Sequence, residues 1–114
     1  MSSAPQIIDP GLALERAGGN ADLARELYQM LQKELPVYQI KLRSLFDSSD
    51  FGALTDTVHK LNGSATYCGV PALKFAAESL ESSLKRGESD NYQEGLDVVL
   101  HAIKQVMETP NLPL

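Results

Sequence analysis

Cysteine and tryptophan are nearly missing from this chain: one Cys, at position 68, no Trp, and aromatic residues at only 6%. A single thiol cannot close an internal disulfide, so the fold has to stand on its own core, and the chain suits a reducing compartment. Two distant histidines and one cysteine do not make a converging metal-ligand set. Cations are in the minority, ten Lys and Arg against fifteen Asp and Glu, for a net charge of −5. Such a surface is poorly suited to displacing counterions from nucleic acid or to binding anionic membranes. No stretch approaches the roughly 20 apolar residues of a membrane span. The opening MSSAPQIIDP has neither the basic start nor the apolar run of a secretory signal. A P-loop, a Gly-rich nucleotide loop and G-x-S-x-G are all absent, so no recognised motif would hold ATP. What is present is 114 residues, 43% hydrophobic and 22% charged, an ordinary balance for one domain with a single core. A protein or a small ligand remains as the partner.

Gly and Pro fall mainly at punctuation points, and runs of β-branched residues do not occur. The pattern predicts an all-α chain of five helices. Asp9 caps a short first helix from Pro10 to Ala17, ended by Gly18-Gly19. Asn20 caps a long second helix whose apolar stripe is Leu23, Leu27, Leu31, Leu35, Tyr38, Leu42 and Leu45. Pro36 lies inside that stripe and is expected to bend the helix. A third helix follows Asp50 and ends near Gly69, with Leu54, Val58, Leu61, Ala65 and Cys68 inward. Pro71 opens a fourth, carrying Leu73, Ala77, Leu80 and Leu84 and stopped by Gly87. Asp90 or Asn91 caps a fifth, with Leu96, Val99, Leu100, Ile103 and Val106. Four long amphipathic helices with short links predict an antiparallel up-down four-helix bundle, the short N-terminal helix capping one end. The domain is expected over residues 9–108, with residues 1–8 and the Pro-rich tail 109–114 as flexible termini. The brief lead before the first cap fits a piece excised from a longer chain.

Of the two histidines, His101 follows the core residue Leu100 and reads as a surface residue. His59 follows Val58, so it points about 100° away from the core direction. Its own face carries Thr55, Asn62, Gly63 and Thr66, all small or polar. A glycine inside a helix costs roughly 1 kcal/mol relative to alanine. One turn beyond a histidine, it removes a side chain that would crowd the imidazole, and something bulky can then approach. On spacing alone, a solvated histidine beside a packing glycine accounts for the pattern equally well.

The next helix adds a partner. Reflection about the tight link at Gly69-Val70 sets His59 level with Glu81 and Asn62 level with Glu78. Glu78 and Glu81 share a face with Lys74 and Lys85. A carboxylate beside an imidazole can accept the Nδ1 proton, fix the tautomer and leave Nε2 as a nucleophile. An ordinary solvated Glu/Lys face has the same spacing. Cys68 continues the apolar stripe, which makes it a small buried residue before it is a reactive thiol.

The segment from His59 to Leu73, HKLNGSATYCGVPAL, together with Leu80-Glu81, resembles the histidine-phosphotransfer (HPt) motif. The matching positions are His59, apolar Leu61, Gly63, small Ala65, Gly69, Leu73 and the Leu80-Glu81 pair. The opening ALERAGGNADLARELYQMLQKELP is also similar to the start of these domains, and YCGVP is similar to the C-terminal HPt domains of BarA/GacS-type hybrid sensor kinases. The resemblance implies a phosphorelay function: His59 accepts a phosphoryl group from a receiver-domain aspartate and passes it to an aspartate of a response regulator. It implies Gly63 as the small residue beside the phosphorylated histidine, and Glu81 as the group bonding the imidazole. It implies a transfer intermediate rather than an enzyme with an ATP site, although a parent protein could itself be a histidine kinase. Receiver domains are the implied partners, with no nucleic acid and no direct membrane contact. No resident cofactor is expected, Mg2+ belonging to the partner receiver. The expected location is cytoplasmic, in a parent protein anchored in the inner membrane.

One position departs from the pattern. Many members carry Lys where this chain has Asn62, and Lys60, the nearest cation in sequence, projects away from His59 on an ideal helix. A neutral hydrogen bond from Asn62 could then take the place of charge neutralisation. Two other classes stay in view: a non-catalytic helical adaptor with an incidental His59, and a small metal- or redox-active enzyme using Cys68.

Overall fold

A computed structural model describes residues 5–114, which are helical with no strand among them. The helices are α1 (Pro10–Arg16), α2 (Ala21–Asp47), α3 (Phe51–Thr66), α4 (Pro71–Arg86) and α5 (Tyr92–Met107), with a 3-10 turn at Ser89–Asn91 before the last. Three starts are those the side chains dictate, α4 opens on Pro71, and α5 follows Asn91 without the expected side-chain cap bond. Asp9, Asn20 and Asp50 each accept a hydrogen bond from the backbone N–H three residues on, which satisfies an otherwise orphaned donor. Gly87 ends α4 in the left-handed conformation, φ 69°.

Each long helix buries one stripe against its neighbours. α3 contributes Leu54, Val58, Leu61 and Ala65, α4 contributes Leu73, Ala76, Ala77, Leu80 and Leu84, and α5 contributes Leu96, Val99, Ile103 and Val106. α2 packs on α3, α3 on α4, α4 on α5 and α5 back on α2, while across the diagonal the backbones stay apart and the Phe51 and Tyr92 rings of α3 and α5 meet edge to face. That closed ring is the up-down bundle the amphipathic pattern predicts. α1 lies against α2 at one end. Pro36 does not split α2, which runs unbroken through it. A proline inside a helix costs about 3 kcal/mol. Here it is exposed, and Leu31, Leu35 and Leu42 are buried on both sides of it, so core packing holds the helix together across the missing hydrogen bond.

The two ends differ from the expectation of flexible termini. Leu112 is buried in the core cluster. The tail's carbonyls take side-chain donors from α2: Tyr28 Oη and Gln32 Nε2 both donate to Thr109 O, and Gln29 Nε2 donates to Pro110 O at 2.8 Å. A proline-rich segment has no periodic signal, and one apolar anchor with satisfied carbonyls is enough to seat it. Removing residues 109–114 is therefore expected to lower the unfolding free energy by about 2 kcal/mol, the burial of one leucine, in a urea melt. At the other end Ile7 and Ile8 pack on the core, and residues 1–4 of the expected loose segment lie outside the described residues.

This N-terminal segment also sets the hairpin that carries the site. Asp9 N–H donates to Gly69 O at 2.8 Å, and Ala72 N–H donates to Gln6 O at 2.9 Å. Gly69 has φ 69°, and a Cβ placed there would stand 2.5 Å from Asp9 O and 2.6 Å from Ala13 Cβ. Only glycine fits both the backbone conformation and the close approach. The link between α3 and α4 is thus clamped, and with it the register of one helix against the other.

Candidate functional site

That register brings His59 to Glu81. On α3, Val58 is buried and fixes the inward face, so the next residue emerges beside it; the His59 side chain is 69% exposed. Its Nδ1 lies 2.7 Å from Glu81 Oε2. Glu81 is 7% exposed, a carboxylate on the buried side of α4 where a polar group needs partners. It has two, because Lys85 Nζ, one turn further along α4, lies 2.9 Å from the same Oε2. A carboxylate facing Nδ1 takes that nitrogen's proton as a hydrogen bond, which leaves the Nε2 lone pair toward solvent.

Burial alone would push the Glu81 carboxyl up; the hydrogen bonds from Lys85 and His59, and their charges, outweigh it and hold the group below 4.5. The sign for stability follows. The folded chain keeps a charge that the unfolded chain gives up sooner, so the contribution is complete above the unfolded value and is lost as pH falls through the lower folded one. In urea melts taken from neutral pH downwards, Glu81→Gln is expected to be less stable at neutral pH and to lose less on acidification than the wild type.

Gly63 is exposed, and a Cβ built on it meets nothing within 4 Å. The open spot one turn beyond His59 is real, but its reason differs from the expected one. A methyl there would not touch the imidazole, so the space is unoccupied for an incoming body, not needed by the ring. Thr55 and Thr66, on the same face, turn their hydroxyls back onto the carbonyls of Phe51 and Asn62. They add small bulk and no free donor.

The other candidates are placed less centrally. Asn62 is half-buried and its Oδ1 is sealed without a partner. Glu78 does not meet Asn62; it pairs with Lys74 one turn away on α4, an exposed pair outside the His59 cluster. Lys60 is exposed and makes no ion pair with Glu81; it lines a groove between α2 and α3 with Lys33, Val37, Lys41 and Gly63. Sequence reading passed over this groove. Reflection about the turn at Ser48–Asp50, the device that found Glu81, sets Gln39 to Lys41 level with His59. His101 is exposed on α5, as expected. Cys68 is buried and donates to Leu27 O at 3.4 Å; burial, then the nearby Glu34 charge, push its thiol up to about 11. A thiol so high is almost entirely protonated at neutral pH and is a poor nucleophile, which counts against a redox role.

No helix among the described residues is long and apolar enough to cross a membrane. Known proteins are similar to this chain. The family model of the Hpt domain matches residues 26–109. The sensor histidine kinase GacS of Pseudomonas protegens is 35% identical over 98 residues, which is 86% of this chain and 11% of that protein. The signal transduction histidine-protein kinase BarA of Escherichia coli K12 is 37% identical over 83 residues, 73% of this chain and 9% of that protein. The chain therefore spans about a tenth of the length of these curated relatives. Among solved structures, the HPT domain of a sensor hybrid histidine kinase from Shewanella superposes with a TM-score of 0.67 at 31% identity, covering 90% of this chain and 95% of that one. With the family model matched over most of its helices and the fold shared with a solved member, the chain belongs to the Hpt domain family, the phosphotransfer modules of two-component signalling.

Proposed function

We propose that His59 is the phosphoryl acceptor of this domain, taking the group from an aspartyl phosphate on one receiver domain and handing it to an aspartate on another. The observation that carries this is the exposed imidazole whose Nδ1 is tied to the buried Glu81 carboxylate, with an open spot one turn away at Gly63. Nε2 attacks phosphorus; the N–P bond forms as the aspartate's O–P bond breaks, and the carboxylate leaves. No proton has to be removed first, because Nε2 carries none. The ring gains positive charge as the bond forms, and Glu81 stands beside Nδ1 to stabilise it.

Phosphoryl transfer of this kind mainly requires in-line positioning and charge neutralisation. The receiver supplies the aspartate, Mg2+ and a basic residue, and this chain supplies the nucleophile and a docking face without drawing on ATP. The docking face we assign is the rim of α2 and α3 beside His59. It combines the exposed Val37 and Ile40 with Lys33, Lys41 and Lys60, which make no ion pair among the described residues. Positive charge on one face of a chain of net −5 complements the acidic phosphorylation site of a receiver. Kinship with a segment of GacS and BarA supports a place in a hybrid sensor kinase, with the module working in the cytoplasm.

Incubation with a phosphorylated receiver tests the reading. The label is expected to move to this domain in an acid-labile, alkali-stable form, as a phosphoramidate requires. A domain that stays unlabelled, or a label stable to acid, overturns it in favour of the adaptor.

A further inference from the structure

Glu81 does two things that pull in opposite directions. By accepting the Nδ1 proton it orients the ring, yet a carboxylate at hydrogen-bond distance also favours the imidazolium, whose Nε2 has no lone pair to attack with. A buried, unaccompanied Glu81 would trade nucleophile for orientation. Lys85 bears on that conflict directly. Its ammonium and the imidazole meet at one and the same oxygen, Oε2, at 2.9 and 2.7 Å, so the cation stands within two hydrogen-bond lengths of the ring.

We infer that Lys85 is a positioning residue that keeps His59 neutral and nucleophilic: bonded to the oxygen that holds the imidazole, it offsets the carboxylate's pull toward imidazolium while the carboxylate still fixes Nδ1–H. The inference rests on the phosphoacceptor reading of His59 and assigns a role to a residue that the HPt motif does not include. The lowered Glu81 carboxyl agrees with it, since Lys85 leads the groups that hold it down. Other charges around the ring do not duplicate the role. On α3, Asp56 and Lys60 are exposed, and neither pairs with His59. From α2, Lys33, Glu34 and Lys41 line the groove on the far side of Gly63. On α4, Glu78 is engaged by Lys74. α5 meets α3 at the Phe51–Tyr92 ring pair, two turns along α3 from His59, and no charged side chain of α5 among the described residues pairs with His59 or Glu81.

The test compares wild type with Lys85→Met, Lys85→Gln and Lys85→Arg. Lys85 is 62% exposed, so each variant is expected to fold, and thermal melts check that. The first readout is the titration of the His59 ring protons by NMR. Losing a unit charge some 6 Å away in a largely aqueous setting is worth roughly half a pH unit. The midpoint is expected to move up by about that much in Lys85→Met and Lys85→Gln and to stay at the wild-type value in Lys85→Arg. The second readout is the initial rate of phosphorylation by a phospho-receiver, expected to fall about threefold in Lys85→Met at mildly acidic pH and to recover at alkaline pH. A midpoint unchanged in Lys85→Met, or shifted equally in Lys85→Arg, overturns the inference. The titration needs no transfer, so a wild type that titrates as expected but never accepts phosphate counts against the acceptor reading alone.

Discussion

His59→Gln is expected to abolish phosphorylation while leaving the fold and its stability nearly unchanged. Both halves follow from one fact: the side chain is 69% exposed and lends little to the core. Glutamine is close in length, and its amide N–H can still donate to Glu81, so the buried carboxylate keeps a partner in place of Nδ1. Lys85 also stays bonded to the same oxygen, so no acceptor is stranded on α4. The amide has no nucleophilic nitrogen lone pair, and transfer has no second candidate, since the Cys68 thiol is buried and held near 11 and His101 lies on another helix. The expected result is loss of all label from the phospho-receiver with an unfolding midpoint close to wild type. An adaptor with an incidental histidine would instead keep its signalling after the exchange.

The second large effect is expected at Gly63, where activity and stability should move in opposite directions. Nothing in the folded chain needs the glycine: its φ is ordinary for a helix, and an added Cβ meets open space. Gly63→Ala should therefore stabilise the domain by about 1 kcal/mol through helix propensity, and Gly63→Leu should also leave it at least as stable as wild type. A leucine one turn from His59 would nevertheless stand where the receiver must approach. Displacing a phosphoryl donor from in-line geometry by about 1 Å costs on the order of a hundredfold in rate, and that is the loss expected for Gly63→Leu, with an intermediate loss for alanine. Thermal melts and single-turnover transfer on the same preparations check both halves. A glycine kept for helix packing would show the reverse: destabilised variants with transfer intact.

Much of this was legible in the sequence because its apolar stripes are regular. Leu54, Val58, Leu61 and Ala65 recur at helical spacing, and once Val58 is inward His59 must be outward. Glu81 was reachable by reflecting about a tight turn, and the reflection holds because Gly69 clamps that turn against Asp9 and Ala13. The same reflection set Glu78 level with Asn62 but left its partner open. It gives height along the axis and not rotation about it, and Glu78 pairs with Lys74 one turn away on its own helix. Lys85 was seen on the right face, but its convergence with His59 on a single oxygen is a matter of rotamers, which spacing does not encode. The seating of the tail was illegible for another reason. Leu112 is one apolar residue between prolines, and its burial depends on Tyr28, Gln29 and Gln32 offering donors some eighty positions earlier. The passage of α2 through Pro36 was legible for the same reason as the other helices, since its apolar stripe continues on both sides of the proline.

The account turns on which atom carries the phosphate. After incubation of the wild-type domain with a phosphorylated receiver, phosphorus–proton NMR under alkaline conditions locates the bond. A single phosphoramidate on Nε2 of His59, with Nδ1 still protonated and bonded to Glu81, is the result the geometry predicts. Phosphate on Nδ1, on any other residue, or on none would contradict it.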